Sequence, residues 1–148
     1  LSELYGYPVN TYEERDRSRA IIWCGALEEN EPIIVDTPVS SVDMLPTLCN
    51  LFGVEWDSRL YVGRDVLSDA LPLVFFGNYD WKTDLGYYSA AKNIFTPTDE
   101  NTVIPEDYVN QISSMVRNRM TFSKSVLSHD YYTHVFDAVS VSECFAKE

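Results

Sequence analysis

Pro46 constrains this chain more than any other residue. It lies within Met44-Leu45-Pro46-Thr47-Leu48-Cys49-Asn50-Leu51-Phe52, where apolar residues at 45, 48, 49 and 52 recur at helical spacing and make one face. Proline has no N–H, so a helix tolerates it only among its first four donors, which lack an intrahelical acceptor. The helix must therefore begin just before it. Asp43 as N-cap puts Pro46 at the third helical position, and its carboxylate complements the positive end of the helix dipole. Gly53 supplies a left-handed residue to close the other end. The spacing predicts a helix from about Asp43 to Phe52.

The segments on either side are shorter. Residues 1–18 hold no apolar period and read as an ordered loop with a polar helical turn near Tyr12–Arg17. Ala20-Ile21-Ile22-Trp23-Cys24, closed by Gly25, has the pattern of a central strand buried on both faces, and Pro32–Asp36 that of a second strand stopped by Pro38. Val54–Ser68 reads as a loop leading to a brief turn. Leu73–Gly77, Gly86–Ala90 and Asn93–Thr96 read as strands, with Asn78–Asp84 a polar turn around Trp81. Their links are too short for parallel crossovers, so they must form an antiparallel meander. Pro105 opens a helix with apolar residues at 108, 109, 112, 115, 116 and 120, ending near Phe122 and covering one face of the meander. A second short helix is expected at Ser123–Val135, with a frayed tail to Glu148.

Charge and composition bound the partners. The chain has 148 residues, 45% of them hydrophobic, and 11 Lys+Arg against 23 Asp+Glu give a net charge of −12. A core can form without disulfides or metals at this length and aromatic content. The acidic excess argues against nucleic acid and against anionic membrane surfaces as partners. Leu71–Phe76, the longest nearly continuous apolar run, is far short of the ~20 residues that span a bilayer. No secretory leader opens the chain, which starts at Leu1 without a methionine and reads as a piece of something longer.

Few residues invite a chemical role. His129 and His134 are five apart, whereas metal pairs on a helix need spacings of three or four, so the imidazoles are expected to be solvent-facing or locally bonded. Cys24, Cys49 and Cys144 show no CxxC spacing, and Cys24 reads as a core thiol rather than a nucleophile. Asp36, Asp43, Asp65 and Asp84 each adjoin a turn or helix start, where capping explains them. Arg64-Asp65 after Gly63 reads as a loop brace, with anion binding the lesser alternative. Trp81 either packs on the C-terminal helix or, with Tyr79 and Tyr87, stacks on a ligand. Phosphate-loop, dinucleotide, metalloprotease and nucleophile-elbow motifs are lacking.

Ser41-Val42-Asp43-Met44-Leu45-Pro46-Thr47-Leu48, followed by Leu51-Phe52-Gly53-Val54, resembles a helix near the C-terminal end of the sulfatase and alkaline-phosphatase-like superfamily. Tyr61-Val62-Gly63-Arg64-Asp65-Val66-Leu67-Ser68 resembles a segment of its lipoteichoic acid synthase and phosphoglycerol transferase branch, and 73–84 is similar to the strand and turn that follow there. The resemblance covers about residues 1–135 and is strongest at 37–68. It implies the C-terminal portion of an α/β fold, with 1–68 ending the main core and 69–148 forming a small antiparallel sheet packed against a C-terminal helix. In such enzymes a Thr nucleophile, or Ser or formylglycine in relatives, takes a phosphoryl or sulfuryl group while a divalent ion, often manganese, polarises the ester. The matching positions all lie upstream of Leu1. The resemblance therefore assigns this chain no catalytic or metal-binding residue and leaves substrate-binding residues unidentified. It implies as partners the upstream part of the same polypeptide and self-association of the isolated chain, with no membrane contact by this segment. The parent would be anchored by N-terminal membrane helices at the extracytoplasmic face of a bacterial membrane. A non-catalytic envelope- or glycan-binding module is the competing expectation, and a docking domain for a basic partner a third.

Overall fold

The computed structural model describes residues 2–9, 12–25 and 30–135. Two compact units divide the chain, Leu1–Asp36 and Thr37–Glu148, and its class is mixed α/β with a small antiparallel sheet and a C-terminal helix.

The first unit holds two short helices, α1 (Ser2–Tyr5) and α2 (Tyr12–Asp16). Gly6 ends α1 at φ +74°, with its N–H donating to the Ser2 carbonyl at 2.9 Å. The helical turn expected near Tyr12–Arg17 is α2. The two strands expected in this unit are not formed. Residues 20–24 and 31–36 carry no strand pairing, and Ile21, Trp23, Ile33 and Ile34 are exposed. Cys24, expected in a core, is exposed as well. A doubly buried strand needs hydrogen-bonded neighbours on both edges, and no described strand pairs with either run.

The second unit opens with a 3-10 turn at Ser41–Asp43 that runs into α3 (Met44–Leu51). Pro46 is the third residue of α3, where its missing N–H costs nothing. Gly53 takes φ +64° beyond the last turn, and the Val54 N–H returns to the Cys49 carbonyl at 2.8 Å. The start differs in detail from the expectation. The Asp43 carboxylate does not cap the α3 amides but accepts from the Ser40 N–H at 2.8 Å, so winding begins two residues earlier.

Four strands follow as a meander in the order β1-β2-β3-β4: β1 (Val74–Phe75), β2 (Trp81–Lys82), β3 (Gly86–Ser89) and β4 (Ile94–Pro97). Every pairing is antiparallel, with Phe75 opposite Trp81, Trp81 opposite Tyr88, and Tyr88 opposite Phe95. β2 falls inside the segment expected to be a turn. The reversal before it is tighter than expected: Phe76 N–H donates to the Asp80 carbonyl at 2.9 Å, and Tyr79 takes the left-handed conformation at φ +68°.

Helix α4 (Tyr108–Ser128) lies over this sheet. Pro105 sits in the preceding turn, its carbonyl accepting from the Tyr108 N–H at 3.1 Å, and Asp107 enters the helix at φ +62°. Contrary to expectation the helix does not stop near Phe122, since residues 121–125 contain neither Gly nor Pro. It continues to Ser128. Asp130, at φ +48°, separates it from α5 (Tyr131–Val135). The tail expected after Val135, with Cys144, lies outside the described residues.

The core is Leu73, Trp81, Ile112 and Val116, with Phe75, Tyr88, Phe95, Tyr108, Val109 and Met120 packed against it. Trp81 is completely buried. Its ring stacks on Tyr88 at 5.2 Å between centroids and meets Tyr108 edge-on at 6.1 Å, while its indole N–H donates to Ser113 Oγ at 3.0 Å. Tyr108 donates its hydroxyl to Thr83 Oγ1 at 2.8 Å.

Candidate functional site

The most tightly organised polar cluster joins α3 to the loop at 61–68. Asp43, only 2% exposed, occupies its centre. Both carboxylate oxygens accept backbone N–H groups, Oδ2 from Ser40 and Oδ1 from Arg64, each at 2.8 Å. A carboxylate that holds its neighbour's amide and an amide 21 residues further along the chain acts as a pin. One turn later the Thr47 hydroxyl donates to the Asp43 carbonyl at 2.7 Å and accepts the Val66 N–H at 3.0 Å. Asn50 Nδ2 then donates to Asp65 Oδ2 at 2.7 Å, and Asp65 Oδ1 receives the Leu67 N–H at 3.0 Å. Asp43, Thr47 and Asn50 are three to four residues apart and so share one side of the helix.

Gly63 makes this approach possible. A Cβ there would stand 2.0 Å from the Val42 carbonyl oxygen, closer than any side chain can come. The Arg64 side chain lies beneath, 8% exposed, with one terminal nitrogen donating to the Pro38 carbonyl at 3.3 Å and Nε sealed from solvent without a partner. Arg64-Asp65 is thus a loop brace, though the two residues brace different neighbours. Arg119, half-buried on α4, lies within electrostatic reach of both Asp43 and Arg64. Its pKa is lowered chiefly by burial and further by the Arg64 cation, against the opposing pull of Asp43.

Opposite the pinned side, α3 presents apolar residues to water. Leu45 and Phe52 are 54% and 76% exposed, and Val42, Leu51 and Val54 are exposed beside them. Cys49 alone of the expected apolar face is buried. The helix therefore attaches to its own unit through these polar groups together with buried Pro46 and Cys49, and leaves Leu45 and Phe52 of its apolar stripe uncovered, unlike an ordinary amphipathic helix.

The other candidates are dispersed. His129 caps the end of α4, its Nδ1 within 3.0 Å of the Ser125 carbonyl, while His134 belongs to α5. Asp36 and Asp84 are exposed. The stacking trio is not assembled: Trp81 has no surface to offer, and the Tyr87 hydroxyl donates to the buried Asp80 carboxylate at 2.6 Å. Asp80, which also accepts the Ala90 N–H at 2.7 Å, is a structural pin that sequence reasoning missed. Its signal was only a carboxylate beside a turn, shared with several residues that are exposed.

Among the described residues no three His, Cys, Asp or Glu side chains converge as a metal site would require. The one buried carboxylate of the α3 cluster has both oxygens engaged by amides. These residues do not fit a divalent ion. No described helix is long and apolar enough to cross a membrane. Comparison with protein-family models, curated proteins and solved structures finds no match to this chain.

Proposed function

We propose that this chain is the C-terminal part of a metal-dependent enzyme of the alkaline phosphatase superfamily, nearest the lipoteichoic acid synthase and phosphoglycerol transferase branch. Phosphoglycerol transfer or hydrolysis of a phosphoric or sulfuric ester is its reaction. The parent is anchored by N-terminal helices and works outside a bacterial cell membrane. Nucleophile and metal ligands, with manganese the favoured ion, belong to upstream residues, and the segment described here is scaffold.

The observation that carries this reading is the union of the two motif segments on which the resemblance rests. Asp43 and Thr47 of the first accept the backbone amides of Arg64 and Val66 of the second, and Gly63 has no room for a side chain between them. Residues that look like a family signature are the residues that hold this region together. The uncovered apolar stripe of α3 and the exposed runs at 20–24 and 33–35 also favour a piece that packs against further structure.

The test is a chain extended upstream in its source sequence, assayed with manganese for release of phosphate or sulfate from p-nitrophenyl esters and for transfer of glycerol phosphate from phosphatidylglycerol vesicles. Turnover that disappears with chelator is expected. An extended protein that neither binds manganese nor turns over any of the three would end this reading.

A further inference from the structure

Trp56 and Tyr61 lie in one loop, on either side of a tight turn. The Leu60 N–H donates to the Asp57 carbonyl at 3.0 Å and closes a 3-10 turn over Ser58–Leu60. The chain folds back there, and the two rings meet edge to face, 5.4 Å between centroids and 78° between planes. The loop beyond them is pinned to α3 through the Arg64 and Val66 amides, so the pair is positioned before any ligand arrives. A second aromatic pair comes from α5. Tyr132, 72 residues beyond Leu60, donates its hydroxyl to the Leu60 carbonyl at 3.1 Å, beside the Tyr61 backbone. Tyr131 stands 5.8 Å from Tyr132 at 77°. All four rings keep part of their surface in water, Tyr132 being 47% exposed. Glu55 and Asp57 flank Trp56, and Asp130 precedes Tyr131.

We propose that Trp56, Tyr61, Tyr131 and Tyr132 form an aromatic seat for a small quaternary ammonium compound of the choline type. The face of an aromatic ring carries the negative end of its quadrupole and attracts a cation, most strongly at Trp. Rings close to right angles turn their faces in different directions, so one methylated ammonium group can meet more than one of them. Charge selects a cation over other ligands that stack on aromatics. The chain carries −12, and in the two stretches that hold the rings Glu55, Asp57 and Asp130 stand against one arginine, Arg59. Cations are drawn towards such a surface, whereas nucleotides are repelled through their phosphates. This inference stands apart from the enzymatic reading above and needs no catalytic residue.

The test uses the 148-residue chain and four probes: choline chloride, sodium chloride at matched ionic strength, neohexanol as the neutral isostere of choline, and maltohexaose. Amide NMR shifts around residues 55–61 and 131–133 are followed against concentration. Saturable shifts with choline, beyond those with sodium chloride and neohexanol, are expected. Trp56→Ala should weaken the apparent affinity at least fivefold and Trp56→Phe, which keeps a smaller ring, by less. Tyr79→Ala, at the hairpin tip before β2, should leave it unchanged. A retained α4 helical signal verifies the fold of each variant, and Trp56→Phe keeps the comparison open where the alanine variant does not fold. Choline acting no differently from sodium chloride overturns the seat, as does a choline response that survives Trp56→Ala. Neohexanol matching choline reduces the cluster to an apolar surface, and maltohexaose saturating where choline does not makes it a carbohydrate platform; either result also overturns the proposal.

Discussion

Asp43 and Arg64 meet through a backbone amide and not through their charges: the Arg64 N–H reaches Asp43 Oδ1 at 2.8 Å, while its guanidinium turns to the Pro38 carbonyl. The carboxylate positions chain rather than neutralising a cation. Removing it leaves two donors buried or half-buried without acceptors, each costing about 1–3 kcal/mol. Asp43→Ala is therefore expected to lose about 3 kcal/mol in urea denaturation and Asp43→Asn, which keeps one acceptor oxygen, about half of that. Equal midpoints for the wild type and the alanine variant would show that the pin is not holding the loop.

Gly63 and Gly53 distinguish two reasons for glycine. At Gly53 there is open space but φ is +64°, so Gly53→Ala incurs only backbone strain of about 1 kcal/mol. At Gly63 an added methyl would meet the Val42 carbonyl, and the loop must leave α3 to admit it. Gly63→Ala is expected to cost about 3 kcal/mol or more, through overpacking and loss of the Arg64 and Val66 amide contacts. Calorimetric melting of both variants checks the order, and a milder effect at Gly63 contradicts it.

Burial raises the pKa of Tyr108 above its ordinary 10.0, and the Asp84 charge adds to the rise while the Thr83 hydrogen bond opposes it. The folded state therefore retains the phenolic proton when the unfolded chain has begun to lose it. The stability this contributes is complete below pH 10 and is lost as pH rises through the folded value. Denaturation midpoints between pH 9 and 11 should fall less steeply for Tyr108→Phe than for the wild type. Parallel slopes would remove Tyr108 from the account.

The uncovered stripe of α3 predicts behaviour in solution. Leu45 and Phe52 are exposed on a helix already anchored by its other side, so replacing both by Ser should reduce self-association without lowering the melting temperature. Light scattering after size exclusion gives the comparison. A wild-type chain that stays monomeric at high concentration shows that this surface is not adhesive.

Helix α3 was legible because Asp43, Pro46 and Gly53 encode its limits within a dozen residues. Most of the meander was legible too, from its short links. β2 was not, since two residues within Asn78–Asp84 cannot display a period and only pairing with Val74–Phe75 and Tyr87–Tyr88 defines them. The runs at 20–24 and 32–36 have the local composition of strands, but strand formation depends on neighbours that local composition does not contain. Arg119 and Asp80 acquire meaning only from distant chain. Asp43 has the sequence context of a cap for its own helix, whereas its main partner stands across a loop whose closeness depends on Gly63.

The position of Trp81 also has an optical consequence. The chain's three tryptophans occupy three environments: Trp23 in water, Trp56 half-buried beside Tyr61, and Trp81 sealed between the sheet and α4. Emission from Trp81 is expected at the blue edge of the spectrum and should resist collisional quenching by acrylamide until α4 lifts from the strands, whereas Trp23 is open to the quencher from the start. Light from one unmodified chain thus carries separate signals from its two units, and the blue component follows the sheet and helix alone.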